Sequence, residues 1–268
     1  MSKKIFFLDL DETLLTTDKH ISETTYDAIS HWCGKGNLIA VNSGRPMRSV
    51  IDTMKELKLD VFEESYAIAF DGAWIKDVHS GKDIVKKTVE MRDVYAASKV
   101  LQDAGIHVHA YSDDSIITCA DDEEIHFYTR TVKLPWSVLP GFPKGLEKEP
   151  CKILGVTLKP EKLDHIMAAI KEACEGRVDA LMSNPHLLEI FPSSAGKGTA
   201  VKELAELLGV DLKDTFAAGD AGNDISMIQT AGCGIAMING TDDVKAAADV
   251  ITETDNNHDG LVPFFLKG

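Results

Sequence analysis

The run Ile5-Phe6-Phe7-Leu8 closes on Asp9-Leu10-Asp11, so four consecutive apolar residues deliver two carboxylates one residue apart. An unbroken apolar run of that length, bounded by polar residues, suits a strand covered on both faces, as in the parallel sheet of an α/β fold. Such sheets bind their ligands in the crevice beyond the carboxyl ends of the strands, which is where Asp9 and Asp11 would stand. Two anions held that close repel each other and need a cation, a shared proton or open solvent.

The pattern recurs downstream. Ser22 is placed as a helix N-cap before Tyr26, Ile29 and Trp32 at helical spacing, and Leu38-Ile39-Ala40-Val41 reads as a second buried strand. Its exit, Asn42-Ser43-Gly44-Arg45, precedes Pro46 and a helical face of Met47, Val50, Ile51, Met54 and Leu57. A hydroxyl, a glycine and an arginine thus meet at a strand-to-helix junction, where free backbone amides favour anions. Tyr66 to Phe70 reads as a third strand ending in Asp71-Gly72, followed by a hairpin turning at Ser80-Gly81.

From there the character changes. Helices over Met91–Ala104, Glu123–Arg130 and Glu161–Ala173 alternate with short strands at His107–Tyr111, Ile116–Cys119, Ile153–Leu158 and Val178–Met182, and a Pro- and Gly-rich patch fills 134–150. The regular alternation resumes at Leu187–Phe191. Gly196-Lys197-Gly198 opens a helix, Thr215–Ala218 is a strand running into Gly219-Asp220-Ala221-Gly222-Asn223-Asp224, and two short strands follow near Gly234–Ala236 and Asp249–Ile251. The expected architecture is α/β: a doubly wound parallel sheet core built from 1–84 and 187–268, with an α+β cap domain inserted over 85–186.

With 44% hydrophobic and 26% charged residues in 268, the chain can bury a core and has no disordered composition. A net charge of -15 argues against nucleic acid or an anionic membrane as partner, and no apolar run is long enough to span a bilayer. A small phosphorylated ligand stays open, since a metal ion, a lysine and backbone amides hold phosphate whatever the global charge. Five scattered cysteines, Cys33, Cys119, Cys151, Cys174 and Cys233, without CxxC spacing suit reduced thiols. Met1-Ser2-Lys3-Lys4 leads straight into the first strand with no signal-peptide region, so the expected compartment is the cytoplasm.

Three strand ends offer Asp9 with Asp11, Ser43, and Asp220 with Asn223 and Asp224, while Lys197 opens a helix between them. Hard oxygen ligands from Asp9 and Asp220, with waters and a backbone carbonyl, suit Mg²⁺, which keeps water and binds through one or two carboxylates plus a phosphate. Lys197 and Ser43 would donate to phosphoryl oxygens. The Walker pattern fails around Lys197, because Phe191 and Pro192 stand where its first glycine would be and Gly198 replaces the required hydroxyl. His107 and His109 alternate on one strand face without a third ligand, so a non-metal pair is expected; Trp32, Trp74 and Trp136 read as packing residues, and Asp121–Glu124 as a solvated helix start.

Taken together, DLDETLL (Asp9 to Leu15), NSGR (Asn42 to Arg45), GKG around Lys197 and GDAGNDISM (Gly219 to Met227) resemble the four motifs of the haloacid dehalogenase-like superfamily. Gly234 to Asn239, Asp259-Gly260 and a cap placed after the third strand resemble its Cof-type phosphatase subgroup. Glu12 stands where many relatives have Gly, Asp71 where they often have Asn, and Gly240 where Ala is common. The resemblance implies a Rossmann-like core and a phosphomonoester hydrolase using Mg²⁺. In it Asp9 is the nucleophile that forms an aspartyl-phosphate, and Asp11 is acid, then base. Ser43, Gly44, Arg45, Lys197 and Asn223 would hold the substrate phosphate, Asp9, Asp11 and Asp220 the metal, with Asn223 and Asp224 behind them. The implied substrate is a small phosphorylated metabolite, a sugar phosphate, and the protein a monomer or weak homo-oligomer. A phosphomutase, which needs a bisphosphate activator, is the alternative within the superfamily. A non-catalytic receiver-like module is disfavoured by Asp11, Lys197 and the large insertion.

Overall fold

In the computed structural model, which describes residues 3–163 and 165–267, strand β1 (Ile5–Leu8) is followed by helix α1 (Glu23–Gly34), β2 (Leu38–Asn42), α2 (Met47–Glu56), β3 (Ser65–Ala69), β4 (Trp74–Asp77) and β5 (Asp83–Lys86). Next come α3 (Met91–Asp103), β6 (His107–Tyr111), β7 (Ile116–Thr118), α4 (Glu123–Thr129), β8 (Trp136–Val138), β9 (Ile153–Val156), α5 (Ile166–Ala173), β10 (Val178–Asn184) and β11 (Leu187–Pro192). The chain continues with α6 (Lys197–Leu208), β12 (Thr215–Gly219), α7 (Ile225–Thr230), β13 (Cys233–Ala236), α8 (Asp242–Ala247), β14 (Val250–Ile251) and α9 (Val262–Lys267). Met1 and Ser2, on which the absence of a leader is read, lie outside the described residues. No described helix is long and apolar enough to cross a membrane.

The chain divides into two compact units. One comprises Met1–Arg45, Val50–Val85 and Gly196–Gly268, the other Pro46–Ser49 and Lys86–Ala195. The first holds an eight-stranded sheet in the order β14-β13-β12-β1-β2-β3-β4-β5. From β14 to β3 every neighbour pairs in parallel, and the β3–β4 pairing is antiparallel. Strand order therefore runs outward in both directions from the β1–β12 pair, the doubly wound arrangement whose switch point lies between those two strands.

β1 is completely buried because both sheet faces are covered. Ile5 and Phe7 pack with Ala200, Val201 and Leu204 of α6 on one face. On the other, Phe6 meets Trp32 of α1, Phe216 of β12 and Phe265 of α9 at ring-centroid distances of 5.7, 5.7 and 4.6 Å. Trp32 is thus a packing residue, and its indole N–H is satisfied by the Leu38 carbonyl at 2.9 Å. α1 begins as its sequence dictates, with Ser22 Oγ accepting from the Thr25 amide at 2.9 Å.

The second unit carries a six-stranded sheet in the order β10-β11-β9-β6-β7-β8, antiparallel except for β7 with β8. Val94, Ala97 and Leu101 of α3 and Ile170 of α5 join Val108, Ala110, Ile153 and Ile190 of the sheet in one core. This corrects the expected boundary at 187. Leu187–Phe191 reads as a strand of the first sheet because of its apolar run, yet β11 is the second arm of a hairpin with β10, and the unit extends to Ala195. Asn184 closes that hairpin, its Oδ1 accepting from the His186 amide at 2.8 Å, a turn signal that outweighs the apolar run. The helix expected over Glu161–Ala173 is a 3₁₀ turn at Pro160–Leu163 and then α5, with residue 164 outside the described residues. β8 was hidden within the Pro- and Gly-rich patch.

α6 lies close against α7. A methyl group on Gly198 would overlap the backbone carbonyl of Ser226, and the Gly198 amide donates to Ser226 Oγ at 3.1 Å. Replacing Gly198 by Ala should lower the unfolding free energy by about 2 kcal/mol through overpacking against backbone that cannot rotate away. Urea denaturation checks this, and an unchanged midpoint would show that the two helices separate freely.

Candidate active site

The switch point places the carboxyl ends of β1 and β12 side by side, with Asp9 leaving one strand and Asp220 the other. Lys197 enters from the first residue of α6 and is almost wholly buried, at 1% exposure. Its Nζ donates to Asp9 Oδ1 at 2.5 Å and to Asp224 Oδ1 at 2.6 Å. Asp224, fully buried, uses its other oxygen to accept from the Asp220 and Ala221 amides, both at 3.0 Å. Asp220 Oδ1 accepts from Thr13 Oγ1 at 2.8 Å, tying the loop after β12 to the turn after β1. Asn42 adds a further link, its amide donating to the Lys197 carbonyl at 3.1 Å.

Charge is unbalanced here. Oxygens of Asp9, Asp220 and Asp224 all lie within 4.8 Å of one another, and Lys197 is the ammonium among them. Burial, reinforced by the Asp224 and Asp220 carboxylates against the pull of Lys197, pushes Asp9 up to about 8. Burial and Asp224 likewise push Asp220 up to about 6, although the Thr13 hydrogen bond opposes them. Burial works against the Lys197 charge, but Asp224 and Asp9 outweigh it and raise its pKa. A donor set of hard carboxylate oxygens with surplus negative charge is what a divalent cation would offset, so these residues fit one.

The Asp11 side chain stands apart from the carboxylates of Asp9, Asp220 and Asp224. Its carboxylate is outside that oxygen group: Arg45 Nε donates to Oδ2 at 2.9 Å, and Arg45 Nη2 and Lys19 Nζ approach Oδ1 at 2.6 and 3.0 Å. Burial raises its pKa, but the bonds to Arg45 and Lys19 outweigh that and lower it. Of the three ways to relieve two close anions, a cation, a shared proton or solvent, Asp11 has the first, and its cationic neighbours favour the carboxylate. Asp224, expected behind the metal, has a carboxylate oxygen within that group.

Ser43, Gly44 and Arg45 follow β2 as expected. Ser43 is buried, its Oγ accepting from the Arg45 amide at 3.3 Å. The Arg45 guanidinium, expected on phosphate, is engaged by Asp11, and its Nη1 also donates to Thr53 Oγ1 at 3.2 Å. Asn223 is exposed in the turn after β12, with Nδ2 donating to Asp71 Oδ1 at 3.3 Å. Two residues escaped the sequence reading as parts of this cluster: Thr13, whose hydroxyl has no distinguishing pattern, and Lys19, whose left-handed backbone (φ 64°) turns it back toward Asp11.

In the second unit, His107 and His109 do share one face of β6, 5.7 Å apart between ring centroids. His107 is satisfied by Asp122 Oδ2 at 2.8 Å and Thr118 Oγ1 at 2.9 Å, whereas both ring nitrogens of buried His109 lack a hydrogen-bond partner. Among the described residues they form no metal-ligating group. Asp122 caps α4, accepting from the Ile125 amide at 3.0 Å.

The model of the haloacid dehalogenase-like hydrolase family matches residues 6–265. The Streptococcus pyogenes protein M6_Spy0533 is 30% identical over 262 residues, covering 96% of this chain and 95% of that one. The 5-amino-6-(5-phospho-D-ribitylamino)uracil phosphatase YitU of Bacillus subtilis is 28% identical over 274 residues, covering 97% of this chain and 95% of its own. A crystal structure of a haloacid dehalogenase-like hydrolase from Bacteroides thetaiotaomicron superposes with a TM-score of 0.89 at 25% identity, covering 99% of both chains.

The raised carboxylates carry a consequence for stability without metal. Unfolded Asp titrates near 4, so between about pH 4 and pH 8 the folded state holds protons that the unfolded state has released. Their contribution is present below pH 4 and is lost as pH rises through about 6 and then about 8. In chelator, the urea midpoint should fall from pH 5 to pH 8.5, and Asp9→Asn should flatten that fall. A midpoint that rises over this range would contradict the charge surplus.

Proposed function

We propose, for a chain that belongs to the Cof-type haloacid dehalogenase-like hydrolases and is a phosphatase, that it hydrolyses the phosphomonoester of a small phosphorylated metabolite through an aspartyl-phosphate on Asp9. The carrying observation is the buried cluster in which Lys197 bridges Asp9 and Asp224 beside Asp220, at the switch point of the sheet. A sugar or polyol phosphate is the proposed substrate class, in keeping with the phosphorylated ribityl group that the name of YitU specifies.

In the first step an Asp9 oxygen bonds to phosphorus as the bond to the ester oxygen breaks, and Asp11 gives its proton to the departing alkoxide. Because Arg45 and Lys19 hold Asp11 as a carboxylate, its acid role requires that it leave those partners and gain a proton. In the second step water bonds to phosphorus, Asp11 takes the water proton, and the Asp9–phosphorus bond breaks to release inorganic phosphate. Lys197 has two of its three protons committed to Asp9 and Asp224, and the third would go to a phosphoryl oxygen. Ser43, Gly44 and Asn223 would complete the phosphate cradle. Asp9, Asp220 and Asp224 would hold Mg²⁺, which supplies charge neutralisation to the phosphoryl group when bound. The inserted unit is proposed to select the leaving group.

Phosphate release from a panel of phosphorylated metabolites should require Mg²⁺, stop in EDTA, and proceed without a bisphosphate activator, which separates hydrolase from mutase. Asp9→Asn should lower kcat by at least about 10³-fold while the protein stays folded, because an amide neither attacks phosphorus nor carries charge to a metal. Substantial turnover in folded Asp9→Asn protein would remove Asp9 from the covalent role.

A further inference from the structure

We propose that Asp71 is a positioning residue for the phosphate-binding groups, fixing the Asn223 amide and the Ser43–Arg45 backbone in the arrangement that receives a phosphoryl group. This rests on the reading above that those groups bind phosphate. Asp71 follows β3 in a turn where Phe70, Asp71 and Gly72 have φ of 53, 53 and 94°. Two consecutive non-glycine residues in the left-handed region are costly and persist only where their surroundings hold them, a condition that concentrates at functional sites.

The surroundings here are the motif loops themselves. The Phe70 amide donates to the Arg45 carbonyl at 3.0 Å, and the Asp71 amide to the Ser43 carbonyl at 3.2 Å. Gly72 lies against the carbonyl of Gly196, the residue before Lys197, so closely that a methyl group there would overlap it. The Asp71 side chain, only 4% exposed, sits 3.0 Å from where a Gly44 methyl would be, and its Oδ1 accepts from Asn223 Nδ2 at 3.3 Å. One turn therefore touches all three loops proposed to hold phosphate.

The chemistry of the contact sets its effect. An ionised carboxylate only accepts, so it turns the NH₂ end of Asn223 toward itself and fixes an amide that is otherwise free to flip. The second N–H of that group then has one orientation instead of several. Asp71 is also among the negative charges that keep Lys197 protonated. It lies outside the carboxylate group that would hold the metal.

The test is calorimetric binding of inorganic phosphate to the full chain in Mg²⁺ buffer, beside phosphate release from an ester. Asp71→Gly deletes the carboxylate while permitting positive φ, and should weaken phosphate binding about tenfold. Asp71→Asn keeps an acceptor oxygen and tolerates the left-handed backbone, so it should stay within about threefold of wild type. Asn223→Ala also removes a proposed phosphate ligand and should lose at least as much as Asp71→Gly, and the double variant should lose less than the product of the two single losses, since the Asp71–Asn223 contact is common to both. Wild-type binding by Asp71→Gly, losses that multiply in the double variant, or equal losses in Asp71→Asn and Asp71→Gly would overturn the assignment. If those results appear while the wild type hydrolyses phosphomonoesters, only the role of Asp71 falls. A wild type that neither binds phosphate nor hydrolyses any ester would remove the functional reading and this one together.

Discussion

A lysine ammonium cannot be buried without anions around it, and the first unit is arranged so that Lys197 has them. Taking one such charge out of water costs several kcal/mol even after relaxation, so the ammonium is tolerated only where carboxylates meet it with good geometry. Asp9 and Asp224 do so at 2.5 and 2.6 Å, from chain positions 188 and 27 residues away. Parallel pairing of β1 with β12 puts the ends of these two segments side by side, and the packing of α6 against α7 brings Lys197 to them. Loss of Lys197 would leave two buried carboxylates uncompensated, whereas loss of one carboxylate would leave the other beside the ammonium.

The loops around the cluster are tied to it by hydrogen bonds. Surplus carboxylate repels itself, and Thr13, the Asp220 and Ala221 amides and the Asp71 turn each restrain a group that would otherwise move toward solvent. Crowding carboxylates round one ammonium opposes folding, a trade of stability for function that is common at organised sites. Among the described residues of the second unit no carboxylates converge in this way, and its helices and sheet pack around an apolar core.

Much of this could be read from the chain. The Ile5–Leu8 run, the strand exits at Asp9, Ser43 and Asp220, and the lysine between glycines all follow from hydrophobic periodicity and strand-end placement, and the structure puts them where expected. The chain misleads where local signals compete or where partners are distant in sequence. β11 has the apolar character of a core strand, but the Asn184 turn makes it a hairpin arm. Asp11 sits beside Asp9 in sequence, but Arg45 and Lys19 draw its side chain away from the other carboxylates, a pairing across 34 and 8 positions that no pattern announces. In the sequence Asp71 shows only as a departure from the family's usual Asn, and its contacts to Ser43 and Asn223 reveal what it joins.

The functional account turns on whether Asp9 bonds to phosphorus. Mixing enzyme with a phosphomonoester that it turns over, quenching in acid within one turnover and mapping the peptides by mass spectrometry tests this directly, because acid slows hydrolysis of an acyl phosphate enough to trap it. One added phosphoryl group is expected on the peptide containing Asp9, absent from Asp9→Asn protein. A phosphoryl group on any other residue, or none during steady phosphate release, would contradict it.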